Sequence, residues 1–227
     1  MSDKRPYRMS TRARMQEETR QRIVDATMQL HEEVGPRATT ISAIAERAGV
    51  QRLTVYRHFP DETAVFQACT SHWLGLNPPP DPETWRSIPD PGERLSAALS
   101  AFYGYYGATR RMWAAAHRDV AEVPALQAPM AGFKAFVDTV ADELARDFRV
   151  ESEQSRPIHV TIRHALGFPT WLDIEESGLA TAAKVALVAG WVVPEGISEA
   201  LAAQQIEPSS PVSAPPSSFS DAEDQAT

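Results

Sequence analysis

The chain of 227 residues contains a single cysteine, Cys69. It therefore forms no intrachain disulfide, and a reducing compartment suits it best. It lacks an apolar run of the ~18 residues that a spanning helix requires. The longest run, VALVAGWVV, is about half of that, so no membrane partner is expected. It also lacks the start of a secretory leader. The first ten residues, MSDKRPYRMS, lead into a charged segment rather than an apolar one, and a cytoplasmic location is expected. No segment shows the apolar–polar alternation of a half-buried strand. There is no H-E-x-x-H, no cysteine pair, no glycine-rich phosphate loop and no nucleophile elbow. His117 and Glu122 of HRDVAE are five residues apart, so on a helix they diverge, and His159 and His164 share that spacing. These absences argue against an enzyme, a metal site or a cofactor.

Charge is unevenly placed. The net charge is −8, which excludes a protein that coats nucleic acid with its whole surface. Residues 1–60 nevertheless carry 11 Lys and Arg against 7 Asp and Glu, whereas residues 61–227 carry 11 against 23. The pattern describes a basic N-terminal module on an acidic body.

Helical periodicity organises the chain, and the fold class it indicates is all-α. Residues 1–13 are basic and aperiodic and read as a flexible arm. Residues 14–60 read as a three-helix unit. In its first helix Ile23, Ala26, Leu30 and Val34 recur at helical spacing up to Gly35-Pro36. Thr40 is placed to cap a second helix with Ile41, Ile44, Ala45 and Ala48 on one face, closed by Gly49. A third, short helix runs from about Gln51 to His58. Residues 61–194 read as a helical body. It opens with a helix capped by Asp61, with Val65, Phe66, Cys69 and Trp73 inward. The six-proline stretch 76–92 reads as a connection, followed by helical patterns at 91–107, 108–121, 125–148, 157–176 and 179–193. Residues 195–227, rich in Pro, Ser and Ala, read as a disordered tail.

The second and third helices have helix-turn-helix spacing. Close crossing of two helices needs a small residue, Ala45; the turn favours glycine, Gly49; and Val55 pins the third helix inward. The opposite face then carries Arg52, Thr54, Tyr56, Arg57 and His58, and Gln51 and Leu53 are counted beside them as DNA-binding candidates. Arginine can bond bidentately to guanine, and threonine offers a hydroxyl and a methyl to base edges. Tyrosine, histidine and helix N-terminal N–H groups suit phosphates. Double-stranded DNA is the expected partner of this face.

The stretch RATTISAIAERAGVQRLTVYRHFPDETAVF resembles the N-terminal domain of the tetracycline-repressor (TetR) family of bacterial regulators over roughly residues 18–66. The resemblance implies that Thr40, Tyr56 and His58 touch phosphate and that Arg52, Leu53, Thr54 and Arg57 face bases or backbone. It further implies a homodimer on a palindromic operator, released by a small-molecule effector. Many members start the fourth helix with a phosphate-gripping lysine; here Glu62 stands there. For the dimer interface the candidates are Phe168, Trp171, Leu172, Val185, Val188 and Trp191. For an effector pocket they are Phe102, Tyr106, Trp113, His117, Phe133 and Phe136, since pockets are mostly apolar with few polar groups. An alternative stays open at this point: a small-molecule-binding or enzymatic all-α protein with a non-functional DNA-binding head.

Overall fold

The computed structural model describes residues 5–148 and 152–192, and among these it is entirely helical. The tail expected at 195–227 and the first four residues of the arm lie outside the described residues. α1 spans Arg5–Glu33, so residues 5–13, expected as a loose arm, continue the helix. Apolar periodicity missed that extension because Arg12 through Glu18 are all exposed and bury no face. Pro6 stands in the first turn, where a helix needs no N–H. Val34, counted on the apolar stripe, lies past the helix end and is exposed.

A 3-10 turn, Pro36–Ala38, joins α1 to α2, Ile41–Ala48. Ala43 N–H donates to the Thr40 hydroxyl at 3.2 Å, satisfying one of the orphan donors of the helix start. Gly49 ends α2 at φ +66°, with its N–H on the Glu46 carbonyl (3.1 Å) and Val50 N–H on the Ala45 carbonyl (2.9 Å). That pairing is a Schellman closure, and it sets the corner before α3, Arg52–His58. α4, Glu62–Leu76, starts where Ala64 N–H donates to Asp61 Oδ1 at 2.8 Å, and it buries Val65, Phe66, Cys69 and Trp73 as expected.

The proline-rich stretch is more than a connection. It contains a one-turn α5, Glu83–Arg86, whose Trp85 is 2% exposed and packs 6.2 Å from the Phe102 ring. Six prolines hid a segment clipped to the body by one large apolar side chain. α6, Pro91–Asp119, joins the two patterns expected at 91–107 and 108–121 into one helix. Thr109 interrupts it at φ −117°, ψ 16°, with its hydroxyl donated to the Tyr105 carbonyl at 2.5 Å, a back-bond that bends helices. α7 spans Pro124–Asp147 and α8 Ser152–Ala165. The single helix expected at 157–176 breaks at Gly167 and restarts as α9, Phe168–Glu175, with Pro169 in its first turn. α10, Thr181–Ala189, runs into a 3-10 turn, Gly190–Val192. No described helix is long and apolar enough to cross a membrane.

Two cores result. The first joins α1 to α4 around Ile23, Ile44, Val55 and Phe66 and reaches Leu126 of α7. The second gathers α6 to α10 around Leu99, Phe102, Tyr106, Leu144, Ile162 and Trp171. Tyr103 and Tyr106 donate their buried hydroxyls to the carbonyls of Ala165 (3.1 Å) and Leu166 (2.9 Å). They tie α6 to the corner between α8 and α9 without leaving a polar atom unpaired.

Candidate nucleic-acid interface and body cavity

α3 is held by its inward residue. Val55 is fully buried under α1 and α2, and Ala45 and Ala48 let the helices approach. The face opposite is free: Gln51, Arg52, Leu53, Tyr56 and Arg57 are exposed, and Thr54 and His58 are half-buried. Leu53 is 70% exposed, a large apolar side chain with no packing role in the fold. Arg57 donates to the Thr54 hydroxyl at 3.2 Å, which aligns both on one side. Arg20 of α1 donates to the His58 carbonyl at 3.3 Å and lies 4.3 Å over the Phe59 ring, so it fixes the end of α3 and adds positive charge there. Burial, then Arg20 and Arg57, hold the His58 pKa below its ordinary value, so a neutral imidazole is favoured. The exposed Thr40 hydroxyl accepts only from Ala43, leaving its proton for an outside acceptor. Every residue expected to meet DNA is thus exposed or half-buried. Glu62 is exposed in the first turn of α4, where a carboxylate favours the helix dipole.

Between α6, α7 and the α8–α9 corner lies a cavity of about 560 Å³. Of the six expected pocket residues, Tyr106, Trp113, His117 and Phe133 line it. Phe102 and Phe136 do not. Phe102 is fully buried behind the wall and stacks on Phe136 at 6.0 Å, so both belong to the core. Trp113 and Phe133 meet at 4.3 Å, and the His117 ring stacks on Phe168 at 4.9 Å and 18°. Burial lowers the His117 pKa, so that ring is neutral at neutral pH. Sequence reading missed the polar edge. Lys134 donates to Asp138 at 2.8 Å, and Arg163 from α8 lies 3.8 Å from the same carboxylate. The i, i+4 spacing of Lys134 and Asp138 was available in the sequence; the arrival of Arg163 depends on how α8 packs on α7.

A clasp joins the cavity helix to the α3 head. Asp119, near the end of α6 and two residues beyond His117, is 2% exposed. Its Oδ2 accepts the backbone N–H of Arg37 at 3.0 Å, and its Oδ1 accepts Arg118 Nε at 2.8 Å. The hydrogen bond from Arg118 leads the effects that hold this carboxyl below the usual range. Arg118 also reaches the Val34 carbonyl at 3.2 Å, and Arg37 pairs with Glu122 at 2.6 Å. The turn between α1 and α2 is thus bound to the C-terminal end of the helix that walls the cavity.

Residues 23–69 match the family model of bacterial regulatory proteins, tetR family. Over those residues the chain is similar to the N-terminal domain of the tetR family. Curated relatives agree. The HTH-type transcriptional regulator SrpR of Pseudomonas putida is 38% identical over 78 residues, which is 32% of this chain and 37% of that protein. The chain thus spans less than two thirds of that relative. Two solved structures share the fold. A TetR-like transcriptional regulator from Rhodococcus sp. RHA1 superposes with a TM-score of 0.56 at 18% identity, over 79% of this chain and 96% of the other. The fatty acid degradation regulator FadR from Bacillus halodurans gives 0.55 at 17%, over 76% and 93%.

Four of the six expected interface residues serve the chain's own core. Phe168, Trp171, Val185 and Val188 are each at most 6% exposed. Phe168 lines the cavity, and Trp171 packs 5.8 Å from Tyr106. Leu172 is half-buried, and only Trp191, 39% exposed, offers a large free surface. The apolar patterns of α9 and α10 read as interface because a buried intrachain face and a buried interchain face have the same sequence signature.

Proposed function

We propose that the chain is a ligand-responsive DNA-binding transcriptional regulator, a repressor that leaves a palindromic operator when a small apolar or aromatic molecule fills the body cavity. The observation that carries this reading is α3, pinned by Val55 and presenting Arg52, Thr54, Tyr56 and Arg57 outward beside Leu53. The names of the curated relatives support it. Arg52 and Arg57 suit guanine edges, Leu53 and Thr54 suit a thymine methyl, and Tyr56, His58 and Thr40 suit phosphates. One seven-residue helix buries too little for specific affinity, so a homodimer spacing two such helices by ~34–36 Å is part of the proposal. Exposed Val160, Leu187 and Trp191 are its pairing surface, in place of the core residues named above. Release follows if the ligand binds better to a state in which the α6 end, and with it the Asp119 clasp, has moved the heads out of register. The protein has no catalytic role in this scheme, and it works in the cytoplasm, where its duplex lies.

Selection of bound duplexes from a random pool tests the reading. It predicts an enriched palindrome with half-sites about one turn apart and affinity that drops steeply with salt. A pool that stays random after repeated rounds contradicts it.

A further inference from the structure

The polar edge of the cavity bears on which ligand fits. Among the described residues Asp138 is the sole carboxylate lining the cavity, and two cations already face it. Its Oδ2 takes the Lys134 ammonium at 2.8 Å, and its Oδ1 lies 3.8 Å from Arg163 Nε without accepting a hydrogen bond. Among the described residues Arg163 donates no hydrogen bond, so its fork of N–H groups keeps its bonding capacity at the cavity edge. Lys134 and Arg163 against Asp138 leave the wall's Lys, Arg and Asp side chains with one excess positive charge. A cationic ligand would meet Lys134 and Arg163 in a partly enclosed space, where repulsion is poorly screened. An anion would complete the set: a planar guanidinium matches a carboxylate bidentately. Away from that edge, Trp113, Phe133 and Phe168 form an aromatic wall suited to an apolar body.

We propose that the cavity selects a monoanionic amphiphile, its carboxylate held by Arg163 and Lys134 and its aromatic or aliphatic body lying against Trp113, Phe133 and Phe168. This rests on the reading of the cavity as the effector site, and it narrows that reading from apolar molecules in general to acids.

The test is calorimetric titration and thermal shift on the full chain with two matched series. One consists of C8 to C12 n-alkanoates and the other of naphthylacetate, each compared with its primary amide and its amine. The expected result is a carboxylate binding at least about tenfold more tightly than its amide, the factor of one charge-assisted hydrogen bond, with the amine weakest. Whichever series binds identifies the body as chain-like or flat. Arg163→Gln should bring carboxylate and amide within about threefold of each other, and Lys134→Gln should do so in part. An amide or amine binding as tightly as the acid overturns the proposal, as does a preference that survives Arg163→Gln or a failure of every compound to bind. A mobility-shift assay separates the two layers. An acid that binds with this preference yet leaves the DNA complex intact refutes release, while the ligand assignment stands. Intact DNA binding with no preference for acids refutes the assignment alone.

Discussion

Gly35→Ala tests the clasp between the cavity helix and the head. Gly35 sits at φ +91°, ψ 158°, a region open almost only to glycine. A methyl group there would lie 1.8 Å from Arg118 Nη2 and 2.6 Å from Asp119 Oδ2. The arginine is flexible and largely exposed, so it can swing away. The carboxylate cannot, because it is 2% exposed and fixed by the Arg37 N–H. Backbone strain costs of order 1–3 kcal/mol. Displacing a buried acceptor from its donor costs about 1–3 kcal/mol more. A net loss of about 2–4 kcal/mol is expected, since the turn relaxes in part. Urea denaturation of the full chain, followed by circular dichroism, measures it through the midpoint at constant slope. A loss below about 0.5 kcal/mol would show that the turn and Asp119 are not locked together, and the proposed route from cavity to head would fail with it.

Other outcomes follow from the same structure. Tyr56→Phe should weaken binding to all duplexes alike, read by mobility shift; a change confined to one base position would reassign Tyr56 to a base edge. Trp85→Ala should cost about 3–5 kcal/mol in urea denaturation, because a residue 2% exposed leaves a large void; near-neutrality would mean that α5 is not part of the body core. Burial pushes the His31 pKa down to about 4, so as pH falls below 6.5 the unfolded chain takes up a proton that the folded chain refuses. Stability present above pH 6.5 should therefore decline by ~2 kcal/mol on reaching pH 5, and His31→Leu should flatten that slope. An unchanged slope in the variant would place the titration elsewhere.

The head was legible residue by residue because its signals are local. A cap at Thr40, a small residue at Ala45, a left-handed glycine at Gly49 and an inward Val55 each depend on near neighbours in the chain. The body was legible as helices but not as packing. Thr109 shows the difference: the pattern changed where the helix bends, yet nothing in the sequence said that the helix continues. Trp171 and Val188 look the same whether they face the chain's own core or a second copy, and only three-dimensional packing separates the two. The aromatic supply of α6 and α7 lies beside the cavity, but which rings line it depends on side-chain direction. Tyr106 and Trp113 reach the cavity, while Phe102, four residues before Tyr106, is covered. The charged edge formed by Asp138 and Arg163 joins two helices distant in sequence, which no periodicity argument reaches.

The central claim is that the exposed face of α3 reads a duplex sequence. The most direct measurement is duplex selection repeated with Arg52→Ala and compared base by base with the unchanged chain. The account predicts that preference collapses at one position in each half-site, with a loss of about 1–3 kcal/mol, while the other positions persist. An identical base pattern at full affinity in the variant would contradict it.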